Sequence, residues 1–172
     1  MKNYKKITVT GDSHGENVHG LLMAKEESDY YVDCGDVCNS DDYIEKNLKD
    51  RKWIVVKGNG DDNSNLKETE SFEVEGVKFF VCHGHNKDIN NLTLSLEDNS
   101  VLLMGHTHHY EKYVMNNVLV VNSGSITNSR DSYYFGTYCN IYVYKKDKRV
   151  EVEMVTVSME SLQNGMLEKK GT

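Results

Sequence analysis

An α/β domain is the fold class this sequence predicts, and three observations carry the prediction. Short apolar, β-branched runs alternate with stretches of helical periodicity. Five of those runs stop at polar turns, most of them built on glycine. Toward the end of the chain, paired runs flank short polar turns, which is the pattern of hairpins. At 172 residues the chain fits one domain, 1–172, large enough to bury a real core.

Ile7-Thr8-Val9 is the first strand, ending at Gly11-Asp12-Ser13-His14-Gly15. Glu16 to Glu27 reads as a helix because Val18, Leu21 and Leu22 recur on one face. Tyr30-Tyr31-Val32 is the second strand and ends at Cys34-Gly35-Asp36. Ser40 caps a helix running to about Asp50, with Asp41 and Asp42 where carboxylates suit the helix dipole. Trp53 to Val56 is the third strand, ending at Gly58-Asn59-Gly60-Asp61, and the polar stretch from Asp62 to Glu70 is loop or weak helix. Phe72 to Phe79 alternates around Gly76 as a hairpin whose second arm continues to Cys82-His83-Gly84-His85. A short helix from Ile89 to Leu96 leads to the strand Val101 to Met104 and then to Gly105-His106-Thr107-His108-His109. Tyr110 to Val114 and Val118 to Val121 flank the turn Asn116-Asn117. Thr137 to Tyr144 and Val150 to Val157 form a last antiparallel pair, and the polar tail from Ser158 is expected to fray.

Composition narrows the function. A hydrophobic share of 38% beside 27% charged residues fits a globular domain and not a disordered one. The net charge of −7 argues against a double-stranded nucleic-acid binder, which needs a basic face. A phosphate substrate stays open, because bound divalent metals reverse the local sign. Met1 to Lys6 runs straight into a strand with no apolar stretch behind it, so neither a signal peptide nor a membrane span is expected. The four cysteines form no CxxC pair, and a reducing cytoplasmic location is the expectation.

One regularity points to chemistry. Asp12, Asp36, Asn59, His83 and His106 each follow a separate strand run by one to four residues. In an α/β sheet the carboxyl ends of the strands share one edge, and ligands bind there. Turns favour Asp and Asn for their own sake, but histidine is not a turn residue of choice and is the commonest nitrogen ligand of first-row metals. A shared metal site accounts for all five.

These segments, taken in order, resemble the calcineurin-like metallophosphoesterases, and most closely their small bacterial and archaeal phosphodiesterases. The matching motifs are Asp12-Ser13-His14, Gly35-Asp36-Val37-Cys38-Asn39, Gly58-Asn59-Gly60-Asp61, His83-Gly84-His85 and Gly105-His106-Thr107-His108. Asn122-Ser123-Gly124-Ser125 is similar to the family's Asn-Pro-Gly-Ser turn, with serine for proline. The resemblance covers residues 7 to 157. It implies two mixed β-sheets packed face to face with helices outside, and two divalent metals that share Asp36. Asp12, His14 and His108 complete the first metal set, and Asn59, His83 and His106 the second. Carboxylate, amide and imidazole donors suit Mn²⁺ first, with Fe²⁺, Zn²⁺ or Ni²⁺ as alternatives, over an all-oxygen Mg²⁺ or Ca²⁺ site. The implied reaction is hydrolysis of a small phosphodiester by a metal-bridging hydroxide, with Asp36 and Asn59 as catalytic residues.

The sequence departs from the family at Gly60, where many relatives carry a histidine that assists the leaving group and the small phosphodiesterases often carry cysteine. His85 is the candidate substitute, either as a proton donor or as a partner that orients a ligand. His19 and His109 match no family role; His19 reads as a surface histidine and Arg130 as a solvated loop charge. The alternative function is a non-catalytic, metal-binding interaction scaffold of the same fold, like the retromer subunit. A structural zinc site is disfavoured because no cysteine falls at a ligand position. A homodimer is the default assembly.

Overall fold

The computed structural model describes residues 1–164. Two five-stranded sheets form it. The first has the order β10-β9-β1-β2-β3, from Val150–Val157, Gly136–Tyr144, Tyr4–Thr10, Tyr30–Asp33 and Ile54–Val55. The second has the order β4-β5-β6-β8-β7, from Thr69–Val74, Val77–Cys82, Val101–Met104, Val118–Ser123 and Tyr110–Met115. Both are mixed. β1, β2 and β3 run parallel, as do β5, β6 and β8, while β4, β7, β9 and β10 pair antiparallel with their neighbours.

The side-chain period of two divides each strand between layers. On β1, Ile7 and Val9 turn inward, and on β6 so do Val101 and Leu103; with Val32, Phe79, Val81, Val121 and Ile141 they fill the space between the sheets. Leu102 and Met104, one residue out of phase, cover the outer face of the second sheet under Ile89, Leu92 and Leu96 of the α3 helix segment. The outer face of the first sheet is covered by Val18 and Leu22 beside α1 (His19–Lys25) and by Ile44 and Leu48 of the next helical segment. That segment, α2, runs Asp41–Ile44 and widens into a π-helical turn over Glu45–Lys49; α3 spans Ile89–Ser95. Two sheets back to back with helices outside is the expected architecture.

Three local expectations are corrected. Only His19–Lys25 of the first helix forms. Gly15 has φ +90°, and Glu16 and Val18 close the turn after His14 by donating to Ser13 O and Glu16 O. The helix stops at Glu26 because that residue is extended, its carboxylate bound at 2.6 Å by Lys6 Nζ and at 2.7 Å by Tyr138 OH. The tail does not fray at Ser158, whose hydroxyl accepts from Ser161 N and caps α4, Met159–Gln163; the rest of the expected frayed tail, 165–172, lies outside the described residues. His19 is not a surface residue: it is fully buried. Ser40 caps α2 by accepting from Tyr43 N, as anticipated. Asn116 and Asn117 both take left-handed φ, 51° and 60°, which the tight β7–β8 turn requires.

Candidate metal centre

Six parallel strands deliver their carboxyl ends to one edge, and the loops after five of them carry the candidate ligands. Asp12 and His14 follow β1, Asp36 follows β2, Asn59 follows β3, His83 follows β5, and His106 and His108 follow β6. The sixth, β8, contributes Asn122, whose amide donates to Gly105 O at 2.7 Å and Thr107 Oγ1 at 3.1 Å and so pins the histidine loop. Asp12, His14, Asp36, Cys38, His106 and His108 all have φ between 47° and 74°. Left-handed backbone in non-glycine residues is strained and collects at functional sites. Here it comes as pairs two residues apart, so that both side chains of a pair face the same side of the loop.

The donor atoms converge. His14 Nε2 lies 3.2 Å from His108 Nε2, 3.9 Å from Asp12 Oδ1 and 3.7 Å from Asp36 Oδ2. His108 Nε2 lies 3.6 Å from Asp12 Oδ1. On the other side, His83 Nε2 lies 3.4 Å from Asp36 Oδ2, 3.8 Å from Asp12 Oδ1 and 3.0 Å from Asn59 Oδ1, which is also 3.1 Å from His106 Nδ1. Ligands about 2.1 Å from one cation stand about 3.0–3.4 Å from each other in octahedral or tetrahedral arrangements. Asp36 Oδ2 and Asp12 Oδ1 each face imidazoles on both sides, at 3.4–3.9 Å. The structure thus brings together all seven sequence-identified ligands.

The chemistry of these contacts fits cations. His83 Nδ1 donates to Cys34 O and His108 Nδ1 donates to Asn128 O, each at 2.8 Å. Those bonds place a proton on each Nδ1 and leave Nε2 facing the site, with His83 beside Asn59 Oδ1 and Asp36 Oδ2 and His108 beside His14 Nε2. Carboxylate, amide and imidazole atoms at these separations could share a cation. Asp12 Oδ1 is buried and has no hydrogen-bond partner, while Oδ2 accepts from His106 N at 2.9 Å. Burial pushes the Asp12 carboxyl up to about 7, against the opposing pull of His83 and the His106 N–H. For Asp36, burial is outweighed by the His83 hydrogen bond, the Gly60 N–H at 2.7 Å and the charges of His83 and His14, which hold it at about 2. Burial lowers His106 and His108, whereas at His83 burial is outweighed by the Asp36 hydrogen bond and the Asp12 charge, and its pKa rises.

Glycines permit the close approach. A Cβ on Gly58 would stand 2.1 Å from Asp36 Oδ1, and one on Gly105 would stand 2.8 Å from Asp12 Oδ2. Asp61 holds the Asp36 turn: its carboxylate accepts from Asp36 N at 2.9 Å, Gly58 N at 2.8 Å and Cys38 N at 2.8 Å. Burial raises Asp61, and these N–H groups hold the rise in check. Sequence reasoning quoted Asp61 within its motif but gave it no role; a carboxylate two residues after a metal-site Asn in a glycine turn was the available signal.

Other expectations resolve individually. His85 stacks near His83 and His106, with ring centroids 5.4 and 6.1 Å away. It bonds to neither, and its buried Nδ1 has no hydrogen-bond partner. His19 is joined through Nε2 to Asp33 Oδ2 at 2.6 Å and through Nδ1 to Tyr43 OH at 2.9 Å. Asp33 Oδ1 in turn accepts from Gly35 N at 2.9 Å, so His19 supports the Asp36 turn from inside. His109 pairs with Asp131 at 3.0 Å. Cys38 places its thiol 3.7 Å from His14 Nδ1, and a Cβ on Gly60 would meet that sulfur at 3.0 Å. Beside Gly60 a cavity of about 330 Å³ opens, lined by Cys38, Asn39, Ser40, Asp41, Asp62 and Asn63. Among the described residues no helix is long and apolar enough to cross a membrane.

Comparison with known proteins accords with this geometry. Residues 6–146 match the calcineurin-like phosphoesterase superfamily domain, and the chain belongs to that superfamily. It is 30% identical over 148 residues to a probable metallophosphoesterase of Mycoplasma pneumoniae, spanning 79% of this chain and 88% of the relative. A predicted phosphoesterase of Streptococcus pneumoniae superposes with TM-score 0.74 at 25% identity, covering 91% of each chain. Vps29 of Entamoeba histolytica shares the fold with TM-score 0.61 at 20% identity, over 89% of this chain and 99% of its own.

Proposed function

We propose that the protein is a binuclear, metal-dependent phosphodiesterase of small substrates. The observation that carries this reading is the convergence of carboxylate, amide and imidazole atoms from the seven residues, with Asp12 Oδ1 buried and without a hydrogen-bond partner among them. Two divalent cations held there would supply Lewis acidity to the phosphoryl group and to a water between them. Asp12, His14 and His108 would hold one, Asn59, His83 and His106 the other, with Asp36 shared. Mn²⁺ is the first candidate, since mixed oxygen and imidazole donors accept it readily. Asn59 turns Oδ1 to the two histidines, which frees its Nδ2 to donate to a phosphoryl oxygen. The cavity beside Gly60 leaves room for the second substituent of a diester. Gly60 has no proton to give, so good leaving groups are favoured; His85 is the nearest unengaged imidazole. All four cysteines are unpaired, which supports a reducing, cytoplasmic setting.

The test is hydrolysis of bis(p-nitrophenyl) phosphate by metal-stripped protein with and without Mn²⁺, beside Asp36→Asn. Turnover is expected only with metal and only in the wild type, with the variant still folded. Silence with Mn²⁺, Fe²⁺, Zn²⁺ and Ni²⁺ alike, despite stoichiometric binding, would favour the second reading, a non-catalytic scaffold. The likeness to Vps29 and the missing donor at Gly60 lean that way; the complete ligand set leans against it.

A further inference from the structure

Arg130 is set up to do something other than decorate a loop. An arginine beside an aspartate ordinarily pairs with it, yet Asp131 is fully engaged elsewhere. Its Oδ1 takes His109 Nδ1 at 3.0 Å and its Oδ2 accepts from Tyr110 N at 2.9 Å. Among the described residues no carboxylate pairs with Arg130. Its one side-chain bond is from Nη1 to Thr107 O at 3.2 Å, the carbonyl between the two ligands His106 and His108. Most of the guanidinium's five donors are left free.

The segment carrying it is fastened to the metal loops. Arg130 N donates to His108 O at 2.9 Å, and Asn128 O receives His108 Nδ1. Ser125 Oγ and Thr127 Oγ1 both donate to Asp12 O, at 2.7 and 3.3 Å. The backbone at Arg130 is thereby tied to the ligand loops, while its side chain is exposed along the rim. The opposite flank, beside Gly60, carries Asp41 and Asp62 and offers an anion nothing.

Resting on the phosphoesterase reading above, we infer that Arg130 is a substrate-binding residue that grips a phosphate oxyanion of the substrate from the Thr107 rim. A planar guanidinium matches two phosphate oxygens at once, which an ammonium cannot do. Two sources share this chemistry: the scissile phosphoryl group, and a second anionic group on the arm that crosses the rim.

The experiment uses the full chain loaded with Mn²⁺, as wild type, Arg130→Ala and Arg130→Lys. Inorganic phosphate binding is measured by titration calorimetry. KM and kcat are measured for the p-nitrophenyl ester of thymidine 5′-phosphate and for its 3′-phosphorylated counterpart. Arg130→Ala should weaken phosphate binding and raise KM about tenfold, with kcat, bound metal and melting temperature nearly unchanged; Arg130→Lys should recover part of the loss. An equal rise on both esters assigns the contact to the scissile group, and a rise only on the 3′-phosphorylated ester assigns it to a second anion. Unchanged phosphate affinity and unchanged KM on both overturn the inference. Calorimetry needs no turnover, so an inactive wild type would count against the enzyme reading while phosphate binding still decides the role of Arg130.

Discussion

Asp61→Asn is the smallest change that tests how the metal-site turn is held. The carboxylate collects three backbone donors, two on Oδ2 and one on Oδ1. An amide of the same size keeps Oδ2 as a carbonyl in its better orientation, but turns its NH₂ toward Cys38 N, donor against donor. One buried N–H is then unsatisfied, which costs about 1–3 kcal/mol. The two surviving bonds lose their charge assistance, roughly half their strength, or about 1 kcal/mol each. The sum is about 3–5 kcal/mol, a large share of a domain's usual 5–15 kcal/mol. For a chain of this length that corresponds to a melting temperature lower by about 10 °C. Urea denaturation in chelator removes metal linkage from the comparison and should show the midpoint falling with an unchanged slope. With Mn²⁺ restored, the displaced Asp36 turn should weaken metal binding about 10–100-fold, as is usual when a partner of a ligand is lost. A destabilisation below about 1 kcal/mol would mean that the three N–H groups do not depend on the carboxylate, and the account of this turn would be wrong.

The same reasoning makes two further predictions. His19→Ala should cost about 3 kcal/mol in urea denaturation, since it strips Asp33 Oδ2 of its buried partner; a loss under about 0.5 kcal/mol would restore the surface reading. Asp12, raised to about 7, keeps its proton in the folded chain at pH values where the unfolded chain has released it. The metal-free protein should therefore lose stability as pH rises from about 4 to about 7. Asp36, held at about 2, acts in the opposite sense: its contribution is complete above the ordinary carboxylate value and lost as pH falls toward 2. Because Mn²⁺ must displace the Asp12 proton, the gap in melting temperature between loaded and stripped protein should widen with pH. A gap independent of pH, or one unaltered in Asp12→Asn, would contradict the assignment.

Much of the site was legible before the fold because it depends on strand polarity alone. Once Ile7–Val9, Tyr30–Val32 and Val101–Met104 are read as strands, their final residues must approach one edge if the strands are parallel, and Asp12, Asp36 and His106 come with them. What stayed hidden depends on partners distant in sequence. β9 lies against β1, with Thr8 opposite Asn140, and no local pattern announces that pairing. His19 looked solvent-facing because its partner Asp33 sits on another element and reaches it only after α1 docks on the first sheet. Helix propensity over Glu16 and Asn17 was overridden by the left-handed turn that His14 and Gly15 need to aim the imidazole inward. Arg130, read as a solvated loop charge, is indeed exposed; what the sequence could not show is that its Nη1 donates to Thr107 O on the histidine loop.

The energetic character of the centre bears on whether it is kept for use. Six residues around it hold left-handed backbone, each a cost of order 1 kcal/mol or more. To this the fold adds a buried carboxylate oxygen without a hydrogen-bond partner and three imidazoles drawn within 4 Å of it. None of these features helps the two sheets to pack. The interior between them is closed by Ile7, Val9, Phe79, Leu103 and Ile141 regardless of what stands at the strand ends. Apolar or glycine replacements at the centre would relieve strain and repulsion in a chain whose only task was to present a surface. Bound cations would reverse the sign: the converging atoms would become shared ligands, and the binding energy would offset the strain that aims them. A centre that weakens the fold until metal arrives is the expected signature of a metal site kept for use.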